Sequence, residues 1–202
     1  MYVRSVRVPY VWKNYRGECM KINCLKSLLI EGLNTVAKAV SSRATTPILE
    51  CVLLSATDEG LKLMANDLEL VIETSFIDGE ILENGAVALD AKVFNDIVRA
   101  MPGTHIEINV DSKNLTIIKS GKIEYKILGM SAEEFPEFPM IDKVGVFSIA
   151  SVELKNMIRQ TIFSVSTDPS KPVLCGQFIH TYIYFSSSSS RCCGIVKNHL
   201  GL

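Results

Sequence analysis

The chain lacks the features that mark several common protein classes. Its 202 residues contain no apolar run long enough to cross a bilayer, and residues 1–19 have no continuous apolar stretch of the kind found in a secretory signal. Six cysteines are present, but no two of them have the C-x-x-C spacing that lets two thiolates chelate one metal ion. These absences predict a protein of the reducing cytoplasm, with no membrane segment.

Signatures of catalysis and cofactor binding are also missing. The sequence has no glycine-rich phosphate loop, nucleophile elbow or paired-carboxylate motif. None of the three histidines, His105, His180 and His199, has a partner at metal-ligand spacing. We therefore expect a non-catalytic protein without cofactor or metal. A cysteine-dependent enzyme that uses Cys175 is the alternative, but it needs a base to which the sequence does not point.

Charge is distributed unevenly along the chain. The net charge is −1, but residues 1–19 carry four basic side chains and one acid, whereas residues 20–176 carry 15 basic and 21 acidic side chains. The last 26 residues carry only Arg191 and Lys197. An acidic central region is therefore flanked by two segments of different character.

A short apolar signature occurs three times, at offsets of 65 and 60 residues. Two positions alternate as in a strand, and the next two lie one helical turn apart. The copies are Ile22, Cys24, Leu29 and Leu33; Val87, Leu89, Phe94 and Val98; and Phe147, Ile149, Leu154 and Ile158. Each copy predicts a strand that leads directly into a helix, so the architecture is duplicated.

The same patterns predict the remaining elements. Helices are predicted over 25–41, 91–101 and 151–166. Strands are predicted over 20–23, 48–56, 61–65, 68–77, 86–89, 105–110, 115–119, 122–128 and 144–149, with a loop over 78–85 and an extended linker over 135–139. The fold class is α+β: two β-α-β-β-β halves form one domain, 20–141, with both helices on one face of a continuous antiparallel sheet. Residues 144–176 begin a second domain, 1–19 form an extension, and 177–202 form an aberrant, serine-rich tail.

Several stretches carry a family resemblance. They are 43–49 (RATTPIL), 66–69 (NDLE), the linker 135–139 and 163–176 (FSVSTDPSKPVLCG). Over 20–176 the chain resembles the bacterial DNA polymerase III β sliding clamp. The resemblance implies a clamp fold, a ring homodimer around double-stranded DNA, and partners that include the replicative polymerase and the clamp loader.

The resemblance also assigns candidate residues. Arg43 matches a DNA-contacting position, and Lys171 occupies the related position in the second domain. Leu174 matches one wall of the partner-binding cleft, and Tyr125 and Ile127 match the strand that meets the neighbouring subunit. Ordinary core or sheet positions are the alternative for these three apolar residues.

Further basic residues on the predicted helices are candidates for phosphate contacts, which are independent of sequence. They are Lys38, Arg99, Lys155 and Arg159; the last two lie four residues apart on one helix face. The alternative is that they are ordinary charges on solvent-facing helix surfaces.

Members of this family begin at the position of residue 20 and continue beyond Gly176 with the rest of the second domain and a third domain. We therefore expect a truncated clamp, in which 1–19 is translated upstream sequence and the tail from Gln177 is a shifted reading frame. A truncated interaction module and an inactive gene remnant are the alternatives.

Overall fold

The computed structural model describes residues 19–41, 46–136, 149–168, 170–186 and 189–197. The chain falls into two compact units that divide between Pro139 and Met140. The predicted strand over 144–149 and most of the extension over 1–19 lie outside the described residues.

The first unit is built from two helices and ten strands in its described part. The helices are α1 (Lys26–Val36) and α2 (Ala91–Ala100). The strands are β1 (Met20–Leu25), β2 (Cys51–Thr57), β3 (Gly60–Asn66), β4 (Val71–Glu73), β5 (Gly79–Glu83), β6 (Gly85–Asp90), β7 (His105–Val110), β8 (Leu115–Ser120), β9 (Ile123–Leu128) and β10 (Met130–Ser131). Short 3-10 turns cover Ala37–Ala39, Pro47–Glu50 and Ala132–Glu134.

These strands form two five-stranded antiparallel sheets, in the orders β5-β1-β7-β8-β9 and β10-β6-β2-β3-β4. The α+β class and the two β-α-β-β-β halves are confirmed, but the single continuous sheet that we predicted is wrong. The strands form two sheets and not one because β1 pairs with β7 of the second half in one sheet, and β6 pairs with β2 of the first half in the other. Each sheet therefore contains strands from both halves.

The helices bury apolar stripes against both sheets. Leu29, Leu33 and Val36 of α1 and Phe94 and Val98 of α2 are fully or almost fully buried in one cluster, together with side chains from both sheets. These residues recur every three to four positions, as expected for one face of a helix. The first two copies of the repeated signature therefore provide the core of this unit.

Several element boundaries differ from the predictions. The helix predicted over 25–41 is regular only to Val36. The strand predicted over 48–56 starts at Cys51, after the turn Pro47–Glu50. The strand predicted over 68–77 is regular only in β4, and the loop predicted over 78–85 contains β5.

The second unit contains α3 (Ser151–Thr161) and an antiparallel pair of strands, β11 (Phe178–Ser186) and β12 (Ser189–Lys197). A 3-10 turn over Ile162–Ser164 extends α3, and another covers Pro172–Cys175. No side chain of α3 is fully buried. In the part of the chain that the structure describes, none of the helices has the length and apolar content needed to cross a membrane.

Candidate nucleic-acid interface

Two helices of the first unit, α1 and α2, lie side by side and share one exposed surface. Lys38, just after α1, and Lys92 and Arg99 of α2 are exposed there, as are the acids Glu31 and Asp96. We call this surface the helix face. It presents basic side chains from both helices, although residues 20–176 as a whole are acidic.

Arg99 connects the two helices. Its Nε donates to Asn95 Oδ1 at 3.1 Å on the same helix, and its Nη2 donates to Asn34 Oδ1 at 2.5 Å on α1. A guanidinium has five N–H donors, so three stay available for an anion after these two bonds. The two asparagines therefore hold Arg99 in one orientation while its side chain remains exposed.

Lys26 has a different role from the other basic residues of these helices. Its Nζ donates to the carbonyl oxygens of Arg99 at 3.0 Å and Met101 at 2.5 Å. The last carbonyls of a helix have no partner within the helix and carry its partial negative charge. Lys26 therefore caps the end of α2 and fixes the start of α1 to it.

The structure places the remaining predicted DNA contacts in different parts of the chain. Lys155 and Arg159 are exposed one turn apart on α3 of the second unit. Lys171 is exposed directly before the turn Pro172–Cys175. Arg43 lies outside the described residues. The structure thus brings Lys38 and Arg99 together on the helix face, and Lys155 and Arg159 together on α3.

Asp168 lies near Lys171 in the chain and makes a local turn. Its Oδ1 accepts from the backbone N–H of Ser170 at 2.9 Å, and this bond lowers the pKa of the Asp168 carboxyl. The carbonyl of Asp168 accepts from the backbone N–H of Lys171 at 3.4 Å. These bonds order the backbone that presents Lys171.

The candidate contacts with other proteins lie at two places. Leu174 is half-buried, and its carbonyl accepts from the backbone N–H of Ser166 at 2.9 Å. On β9, Tyr125 is 41% exposed, whereas Ile127 is half-buried and packs against the core of the first unit. The role of these residues in partner contact stays a prediction.

Two thiols of the first unit are shielded, whereas a third, that of Cys19, is exposed. Cys24 and Cys51 are buried, and burial raises the pKa of each thiol to about 11; the carboxylates of Asp90 and Glu50 add to the effect at Cys51. Cys175 is exposed, and its Sγ contacts the carbonyl oxygen of Asp168 at 3.1 Å. Among the described residues, no three or more His, Cys, Asp and Glu side chains cluster as a metal site would require.

Sequence reasoning did not find the two asparagines that hold Arg99. Asn95 lies four residues before Arg99, so the helical spacing alone could have indicated that pair. Asn34 is 65 residues away in sequence, and its role depends on the packing of α1 against α2. No local signal predicts that contact.

Known proteins resemble this chain in sequence and in structure. A family model described as "DNA polymerase III beta subunit, N-terminal domain" matches residues 20–139. The beta sliding clamp of Bacillus subtilis is 41% identical over 165 residues, which are 78% of this chain and 43% of that protein. The beta sliding clamp of Halalkalibacterium halodurans is 38% identical over 159 residues, or 75% of this chain and 42% of that protein.

A solved structure supports the same relationship. The crystal structure of the DNA polymerase sliding clamp from Bacillus subtilis has a TM-score of 0.75 and 32% identity, and the match covers 88% of this chain and 53% of that one. The chain spans less than half the length of the two curated relatives. The family match over 20–139 and the shared fold together show that this chain belongs to the DNA polymerase III beta-subunit family, the beta sliding clamps.

Proposed function

We propose that the chain provides the first domain, and the beginning of the next, of a DNA sliding clamp. In this role it contributes to a ring that encircles duplex DNA and keeps the replicative polymerase on its template. Its partners are double-stranded DNA, the polymerase and the clamp loader, and it is a non-catalytic protein of the cytoplasm. Family membership supports this proposal.

The helix face is the observation that carries the proposal. A sliding protein needs contacts that do not depend on base sequence, and lysine and arginine contacts to phosphates meet this need. Lys38 and Arg99 are exposed on this face, and Arg99 is already oriented by two asparagines. We assign the same role to Lys155 and Arg159 on α3, and to Arg43 and Lys171.

The protein contacts follow from the same proposal. Tyr125 and Ile127 meet the neighbouring subunit of the ring, and Leu174 forms one wall of the cleft that binds partner proteins. We also propose the domain limits 20–141 and 144–176, with the extension 1–19 and the tail 177–202 outside the clamp fold.

A binding titration with fluorescently labelled linear duplexes tests the proposal. We expect weak binding that is equal for duplexes of different sequence and that falls steeply between about 50 and 200 mM salt, because phosphate contacts release counterions. Arg99→Ala and Lys38→Ala should each weaken binding and reduce the salt dependence by about one phosphate contact. The matched control is Lys122→Ala, at an exposed lysine in the turn between β8 and β9.

Two results would contradict the proposed function. One is tight binding to linear duplex that survives high salt, since the chain would then hold DNA by specific contacts. The other is equal affinity of the wild type, Arg99→Ala and Lys122→Ala proteins, since the helix face would then not contact DNA.

A further inference from the structure

A cavity of about 430 Å³ lies in the first unit, between the end of α1, the start of β2 and the start of α2. A volume of this size is typical of sites that bind small molecules. None of the described residues to which we assign contacts with DNA or with other proteins lines this cavity. Its lining indicates a different kind of ligand.

One part of the cavity wall is apolar and rigid. Leu33 of α1 and Val52 of β2 are almost completely buried, and Ala91 at the start of α2 is 8% exposed. Val40, which follows the turn after α1, is half-buried and packs against the same core. Because these side chains belong to the core, the apolar part of the cavity is held in place by the fold itself.

The polar part of the wall is acidic. Glu50 and Asp90 contribute two carboxylates, and Lys92 is the only basic residue among the described ones that line the cavity. The register of β2 and β6 pairs Cys51 with Asp90, and Glu50 precedes Cys51 in the chain. Next to burial, the carboxylates of Asp90 and Glu50 raise the pKa of the Cys51 thiol. The two negative charges therefore act at the same place.

Neither carboxylate forms an ion pair with any residue that the structure describes. Oδ1 of Asp90 accepts from the backbone N–H of Val93 at 2.7 Å, and a carboxylate can accept further hydrogen bonds through its second oxygen. The start of a helix is a site where an anion can bind, but here Asp90 itself occupies the start of α2. The lining therefore favours a cation.

We propose that this cavity binds a small organic cation, in which a protonated amine is joined to a compact apolar group. The ammonium group contacts the carboxylates of Glu50 and Asp90, and the apolar group packs against Leu33 and Val52. Lys92 does not prevent this, because its long side chain is exposed and can extend into solvent. A metal ion would leave the apolar wall in contact with water, so an organic cation fits the lining better.

Asn95 connects the cavity to the helix face. It lines the cavity, and its Oδ1 accepts from Arg99 Nε at 3.1 Å. A ligand that fills the cavity therefore reaches the side chain that orients Arg99. Binding of the cation is independent of the proposed function, because it requires no DNA.

NMR titrations of the full chain with three ligands of similar shape test the proposal. The ligands are phenethylamine, which is protonated at neutral pH, the uncharged phenethyl alcohol, and the anion phenylpropionate. We expect weak, saturable binding of phenethylamine that shifts the backbone amide signals of residues 40, 52, 91 and 92. The alcohol should bind about tenfold more weakly and the anion not at all, since only the cation is attracted by the two carboxylates. Equal binding of all three ligands, or shifts confined to other parts of the chain, would overturn the proposal.

Substitutions in the lining identify the groups that bind. Glu50→Gln and Asp90→Asn should each raise the dissociation constant of phenethylamine about threefold, as expected for the loss of one exposed ion pair. Asparagine also caps helices well, so Asp90→Asn keeps the start of α2 intact. The matched control is Glu83→Gln, at an exposed glutamate of β5 that does not line the cavity and should leave the constant unchanged. An effect of Glu83→Gln as large as that of Glu50→Gln would show that the cation is attracted only by the acidic surface in general.

Two further variants test the cavity itself and its connection to Arg99. Ala37 is exposed and lines the cavity, so Ala37→Trp should fill it and abolish binding while the midpoint of urea denaturation changes little. Phenethylamine should also shift the side-chain Nε–H signal of Arg99 in the wild type, and Asn95→Ala should remove this shift. Unchanged binding in Ala37→Trp would show that the ligand lies outside the cavity. A signal of Arg99 that does not respond in the wild type would disprove the connection to the helix face.

Discussion

Single side chains stabilise the helix ends of this protein. Asp90 Oδ1 accepts from the backbone N–H of Val93 at 2.7 Å and caps the start of α2, whereas Leu25 at the same position of α1 has no such bond. We expect Asp90→Ala to lower the free energy of unfolding by about 1 kcal/mol, because an N–H of the first turn loses its acceptor. Urea denaturation followed by circular dichroism measures this. Asp96→Ala, on the exposed face of the same helix, should change stability much less, and equal losses in the two variants would contradict the capping role.

The distance between partners in the sequence decides which residue roles could be predicted. The cap of Asp90 spans three residues and the Asn95–Arg99 pair spans four, so a helical pattern is enough to suggest both. Lys26 instead donates to carbonyls 73 and 75 residues away. In the sequence, a lysine at the start of a helix cannot be distinguished from an ordinary surface charge, because its role depends on the packing of the other helix.

The basic residues of α1 and α2 have two different roles: Lys26 stabilises the packing of the helices, and Arg99 is proposed to bind DNA. We expect Lys26→Met to lower the free energy of unfolding by about 1 kcal/mol, since two carbonyls at the end of α2 lose a charged donor. Its effect on DNA affinity should be small. Arg99→Ala should instead lower DNA affinity clearly and change the free energy of unfolding little. Urea denaturation and the duplex titration, applied to both variants, distinguish the roles. Lys38→Met is the matched lysine substitution, and it should weaken DNA binding without lowering the free energy of unfolding. A large loss of DNA affinity in Lys26→Met would show that Lys26 contacts DNA directly.

The elements that sequence patterns missed are those whose conformation depends on distant pairing or on local side-chain bonds. Strand β5 has exposed charged residues, Glu80 and Glu83, and it is a strand only because it pairs with β1. Before β4, the side chain of Asp67 accepts from two backbone N–H groups, and Leu68 has a positive φ of 74°. These local bonds interrupt what the apolar pattern predicted as one long strand.

At the scale of the whole molecule, the duplication explains why the first unit has two sheets. The first strand of each half pairs with a strand of the other half, and both helices contribute to one core. Neither half therefore has a complete sheet or core of its own. The sequence repeat predicted the two halves and their apolar positions correctly. The choice between one sheet and two depends on pairings between the halves, which join residues 80 to 90 positions apart in β1–β7 and 29 to 39 positions apart in β2–β6, and periodicity does not specify them.

This exchange of strands predicts that the two halves unfold together. Ile118 on β8 is fully buried, and Ile118→Val should lower the free energy of unfolding by about 1 kcal/mol. Hydrogen exchange measured by mass spectrometry should then show about fivefold faster exchange of the most protected amides in β3 as well as in β8, although β3 lies in the other sheet. Val93→Ala, at an exposed position of α2, should leave both strands unchanged. Faster exchange in β8 with unchanged exchange in β3 would show that the halves open independently, and the interlocked sheets would then not be one cooperative unit.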